Sequence, residues 1–198
     1  LYAYYSNVGN TWLQNTSYFN VTTPGFQKWT VPATGSYQIE VAGSRGGISN
    51  YTSNSSANIY HGRGAIIRGT VSLTQGQILT IAVGQPGANA PAISSFSIAG
   101  SGGGSFVVAN TTPLLIAGGG ASAGMYSTAT LYQGGYGVTG TTGGNSYRGA
   151  PGGTNGLGGN AHVNTSGTIS ANPYDGGGGG GFSSNGVQGN GGNVRLTT

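Results

Sequence analysis

The 198-residue chain contains no cysteine, so it can form neither disulfides nor thiolate metal centres. Acids are almost missing as well, Glu40 and Asp175 being the only two. Six cations (Lys28, Arg45, Arg63, Arg68, Arg148 and Arg195) lie scattered, and charged residues reach 4% against a typical ~25%. The net charge of +4 therefore reflects absent acids rather than a basic face. Nucleic-acid binding wants clustered Lys and Arg, and no cluster exists. No apolar run approaches the ~20 residues of a membrane-spanning helix. No stretch carries a 3.6-residue apolar period, so helix is expected to be scarce.

The same shortages thin out the chemistry. A hydrolytic carboxylate pair would have to be Glu40 and Asp175, yet Glu40 sits mid-strand and Asp175 borders the glycine run 176–181. His61 and His162 are the only histidines, and no nucleophile elbow accompanies them. A metal site would need these same four residues to converge. The sole lysine, Lys28, lies in no Gly-Lys-Ser/Thr loop, which excludes a phosphate-binding loop of that type. The reading is a non-enzyme, with no catalytic residue, metal or cofactor.

Glycine is what the chain has in excess, at 43 residues. Gly134, Gly137, Gly140 and Gly143 recur every third position, as do Gly153, Gly156 and Gly159, and then Gly186, Gly189 and Gly192. A backbone with three residues per turn and one bare edge can pack directly against another backbone, as in collagen. Glycine loses more freedom on ordering than any other residue, so a regular set of backbone hydrogen bonds must offset that cost. Apolar residues are 35%, below the usual ~45–50%. Twelve Tyr, five Phe and two Trp nevertheless argue for a folded chain.

The first half reads as strands. Tyr37, Ile39 and Val41 alternate with Ser36, Gln38 and Glu40, the mark of a half-buried strand. Further strands are expected over 64–71 and 77–83, with a turn at 73–76 between them. A hairpin around Asn110 should join 104–109 to 113–117, and Val194/Leu196 suits a final strand returning to the sheet. The fold class is all-β, an antiparallel sandwich, with a glycine region inserted over about 118–192. Residues 26–198 form one domain, and 1–25 a distinct strand segment.

In that segment Tyr2 and Tyr4 alternate with Ala3 and Tyr5, so both faces of the first strand carry bulk. Such a strand needs cover on two sides. Either a neighbouring subunit supplies it, making Leu1, Tyr2, Tyr4, Tyr5, Trp12 and Leu13 interface candidates, or the strand closes its own sheet. Leu1, with no initiator methionine, reads as the start of a mature chain whose signal segment has been removed, or of a chain trimmed in preparation. Six Asn-X-Ser/Thr acceptors occur, at Asn15, Asn20, Asn50, Asn54, Asn110 and Asn164, a modest excess over the roughly 4 that composition gives by chance. With so few surface charges, sugar is expected to supply solubility, which points outside the cell. Tyr126, Tyr132, Tyr136, Tyr147 and Tyr174 either wedge the glycine region or form a contact surface for glycans or subunits.

The run 27–37 (Gln-Lys-Trp-Thr-Val-Pro-Ala-Thr-Gly-Ser-Tyr), then Ile39–Gly43 with Gly46-Gly47, carries a likeness. It continues in order through Gly84-Gln85-Pro86-Gly87, Gly102–Val108 and Leu115–Gly120. Over about residues 25–198 the chain resembles the extracellular glycine-rich domain of the anaplastic lymphoma kinase and leukocyte tyrosine kinase receptors, also found in secreted microbial proteins. The resemblance implies a TNF-like, jelly-roll sandwich bearing polyglycine-II helices, and no catalysis. This chain lacks the receptors' cysteines, kinase and membrane span, so cytokine binding does not carry over. The functional expectation is the repeating subunit of a glycosylated extracellular filament or coat that self-assembles by adding its N-terminal strand to a neighbour. The alternative is an adhesin or ligand-binding module.

Overall fold

Strands form where aromatic and β-branched residues concentrate, and glycine takes over between them. The computed structural model describes residues 14–48, 61–89, 97–122, 124–127, 130–132, 134–145, 151–160 and 179–187. Among them the elements are ten strands: β1 (Phe19–Thr23), β2 (Phe26–Thr30), β3 (Gly35–Ala42), β4 (Ile66–Leu73), β5 (Ile78–Ala82), β6 (Ser97–Ile98), β7 (Ser105–Ala109), β8 (Thr112–Ala117), β9 (Gly124–Ser127) and β10 (Thr130–Tyr132). The all-β, antiparallel reading with almost no helix is the observed one. The expected strands at 36–41, 64–71 and 77–83 and the Asn110 hairpin appear within a few residues of their anticipated bounds. Strand β1 falls within the segment 1–25 expected to be strand. The final strand expected over 193–198 lies outside the described residues, as does the strand at 1–6.

The described chain divides into two compact units, each taken by itself. The first unit contains the residues up to Val41, Ile67–Val83 and Phe106–Ile116. Its larger sheet has the order β1-β2-β5-β7-β8, and β3 and β4 pair separately. Antiparallel register sets Phe19 opposite Trp29, Trp29 opposite Leu79, and Leu79 opposite Ala109. That row crosses the sheet on one face, and Phe19, Leu79 and Ala109 are buried. The β3–β4 layer meets this sheet through Tyr37, whose ring stands edge-on to Trp29 at 5.4 Å, and through Gly69, over the side chain of Leu115. Two layers with inward alternation make a sandwich.

Turns obey local chemistry. Asn110 carries the β7–β8 turn with φ 54°, a left-handed conformation that Asn tolerates better than most residues. Gly76 has φ 80° in the β4–β5 turn, where Val31 binds both ends: its carbonyl accepts from Gly76 N–H and its N–H donates to Gln77.

The second unit holds residues 42–66, 84–105 and those from Ala117 onward. It includes a small sheet of order β10-β9-β6. Its buried apolar side chains, among the described residues, are small: Ala65, Ala99 and Ala117. Alanines remove little apolar area from water compared with the Leu and Val of the first unit. Other forces hold this unit.

Candidate functional site: a lattice of packed backbones

Five glycine-rich segments of the second unit bond to one another without forming strands. Gly43 and Gly46 donate to Ala65 and Gly62, while Ser44 and Gly47 donate to Gly103 and Gly100. Gly62 and Ala65 donate to Ala121 and Gly118, and Gly100 and Gly103 donate to Ala88 and Gln85. In every case donors three residues apart address the same neighbour. The carbonyls of Ser44 and Arg45 accept from Gly120 and Gly87, so segment 43–47 bonds to four others. A β-strand, with its period of two, can serve only two neighbours in its own plane. A period of three spreads donors and acceptors around the axis.

Such close approach leaves no room for a side chain. A Cβ on Gly43 would lie 2.1 Å from the Gly118 carbonyl oxygen, one on Gly62 2.0 Å from that of Gly135, and one on Gly87 1.9 Å from that of Gly100. The hydrogen standing there instead points its C–H bond at a carbonyl, a weak hydrogen bond worth ~0.5–1 kcal/mol. Among the described residues of this unit, N–H···O and C–H···O bonding stands where large buried apolar side chains would otherwise be.

Ser105 fastens the lattice from within. It is 3% exposed, donates its hydroxyl to the Ala42 carbonyl at 2.7 Å, and accepts from Gly84 N–H at 2.9 Å. The sequence places Ser105 in the strand expected over 104–109 but gives its hydroxyl no role, because both partners lie far away in the chain.

The lattice also begins earlier than the glycine rows indicate. The rows placed it over about 118–192, whereas the segments at 43–47, 62–65, 84–88 and 100–103 take part as well. Gly137 joins it, donating to Arg63, but a Cβ on Gly140 would meet open space. The second row is broken by a turn, with Asn155 at φ 50° and Gly156 at φ 83°. Beyond it Gly143 donates to Gly153, Gly159 to Gly179, and Val187 to Gly159.

The other anticipated residues fall as follows. Glu40 accepts from Nε and Nη2 of Arg68 across β3 and β4, on an exposed face. His61 keeps a buried Nδ1 that has no hydrogen-bond partner among the described residues. Asp175 and His162 lie outside them. Asn15 is exposed, its Oδ1 accepting from Ser17 N–H, Asn20 is half-buried in β1, and Asn110 is exposed at the hairpin tip. Tyr136 is 53% exposed, while Tyr126 and Tyr132 fall in β9 and β10, of which only the backbone is described. Leu1, Tyr2, Tyr4, Tyr5, Trp12, Leu13, Asn50, Asn54, Asn164, Tyr147 and Tyr174 lie outside the described residues. No protein-family model matches the chain. No curated protein matches it either.

Proposed function

We propose that this chain is a non-enzymatic structural protein, the repeating subunit of a glycosylated extracellular filament or coat. The observation that carries the reading is the backbone lattice. Its glycines pack carbonyl against Cα at distances that exclude any side chain, so the unit is built for rigidity. We read the three-residue donor period of the second unit as a bundle of polyglycine-II helices, and the first unit as a TNF-like, jelly-roll sandwich, as in the extracellular glycine-rich domain family. Few charged groups remain for chemistry, and Glu40 is already neutralised by Arg68.

Assembly proceeds by donating the N-terminal segment to a neighbour's sheet. The donor is confined to residues ahead of β1. Phe19 is buried, and β1 pairs with β2 of the same chain. A chain lacking residues 1–13 should fold, keep its β-type circular dichroism and remain monomeric by light scattering. Fibres of normal length from that truncated chain would overturn the mechanism. Intact mass of the native protein tests the sugars, with added hexose mass expected on the exposed acceptors Asn15 and Asn110.

The adhesin reading draws on the second unit's exposed apolar side chains, with Tyr136 at 53%, Leu157 at 51% and Phe182 at 37%. It requires discrete particles rather than fibres in negative-stain images of the native protein, together with glycan binding lost on Tyr136→Ala.

A further inference from the structure

Resting on the strand-donation reading, we infer that the acceptor is the outer edge of β8, which no described strand covers, and that its occupant is the segment Leu1–Ser6 of a second copy. Sheet edges present unpaired N–H and C=O groups, and proteins guard them with charges, bulges, proline or shortness. The edges of this molecule differ sharply in that respect.

At the β1 edge the register shifts between Asn20 and Thr23, and Asn20, Thr22 and Thr23 are polar. The β3–β4 pair carries Glu40 and Arg68, with Gln38, Thr70 and Ser72 on the same exposed side. In the small sheet, the edge strands β6 and β10 have 2 and 3 described residues, against the 6 of β8. Strand β8 is the exception. It closes the order β1-β2-β5-β7-β8, runs Thr-Pro-Leu-Leu-Ile-Ala, and bears no charge. Pro113 blunts only its start. Leu115 is buried in the sandwich, while Leu114 and Ile116 face the other way and stay half-buried. Among the described residues no strand pairs with its outer edge.

The donor matches that edge. Leu1-Tyr2-Ala3-Tyr4-Tyr5-Ser6 is uncharged, has bulk on both faces, and is as long as β8, about 20 Å when extended. A strand added beside β8 needs bulk on both faces, one row over the sandwich core and one beside Leu114 and Ile116. The donor joins the sheet through β1, at the edge opposite β8. Filling its own β8 edge would carry residues 7–18 across five strand spacings, roughly 24 Å of sheet. A donor beside one edge and an acceptor at the other give an unlike, head-to-tail contact, which propagates instead of closing.

The absence of native cysteine makes disulfide trapping clean. Full-length chains carrying Tyr4→Cys or Tyr5→Cys together with Leu114→Cys or Ile116→Cys are oxidised and run on non-reducing gels. Paired strands hold opposing Cα atoms within the ~4.4–6.8 Å that a disulfide spans. The expected result is a ladder of covalent multimers for at least one pairing, and none when Thr70→Cys on β4 replaces the β8 cysteine. A fast-migrating covalent monomer would overturn the second copy as occupant. Cross-linking to Thr70→Cys instead, or to neither strand, in chains that still form fibres would overturn β8 as acceptor, leaving strand donation intact if removing residues 1–13 abolishes those fibres. Leu114→Lys and Ile116→Lys provide a second readout: folding is retained and fibre mass falls at least tenfold. Normal fibres from both lysine variants would refute the assignment.

Discussion

Gly120 and Gly118 lie two residues apart on the same segment, and the lattice makes opposite demands of them. An alanine Cβ at 120 would stand 2.2 Å from the Gly62 oxygen, 2.4 Å from the Gly62 carbonyl carbon and 2.8 Å from that of Arg63. All three atoms are backbone, so no rotamer change relieves the clash. Overpacking typically costs ~1–3 kcal/mol. The forced shift also strains two lattice hydrogen bonds, Gly120 N–H to Ser44 and Gly102 N–H to Gly120, both 2.8 Å, each worth ~0.5–1.5 kcal/mol. Gly120→Ala should therefore cost about 4 kcal/mol. Gly118→Ala meets nothing within 4 Å and should be neutral or stabilise by ~0.4–1 kcal/mol, through the unfolded chain. At ~2–4 °C per kcal/mol for a chain this long, thermal melts followed by circular dichroism should separate the two variants by about 10 °C or more. Equal melting temperatures would show that backbone packing does not hold this unit together.

Two smaller changes probe the same physics. Ser105→Ala leaves the Ala42 carbonyl and the Gly84 N–H without their buried partner and should cost ~2–4 kcal/mol in urea unfolding, whereas Ser105→Thr should recover part of it. At the β7–β8 turn, Asn110→Gly should leave the melting temperature near parental while Asn110→Val lowers it by ~1–2 kcal/mol equivalent, because a β-branched residue resists φ near 54°.

Strand identity was largely readable without coordinates. In β3 the Tyr37/Ile39/Val41 alternation sets which side chains turn inward, and one face of a two-layer fold must be apolar wherever it forms. Asn110 and Gly76 marked their turns for a similarly local reason, the need for positive φ. The lattice was read only in part. The row beginning at Gly134 shows its period because several members follow one another. Gly43 with Gly46, and Gly84 with Gly87, offer two members each and are indistinguishable from turn glycines. Ser105 was silent for the same reason, since what it binds lies 63 and 21 residues away in sequence.

Composition and periodicity, then, determined that the chain is all-β, poor in titratable groups and rich in backbone able to pack without side chains. Both properties follow from residue type and local spacing. Only the tertiary structure decided which glycine segments interlock, that segment 43–47 has four bonded partners, and that the uncharged β8 is the last described strand of its sheet. A backbone N–H is the same donor in every residue. Its partner is chosen by which distant segment the fold brings within 3 Å, and no single residue encodes that choice.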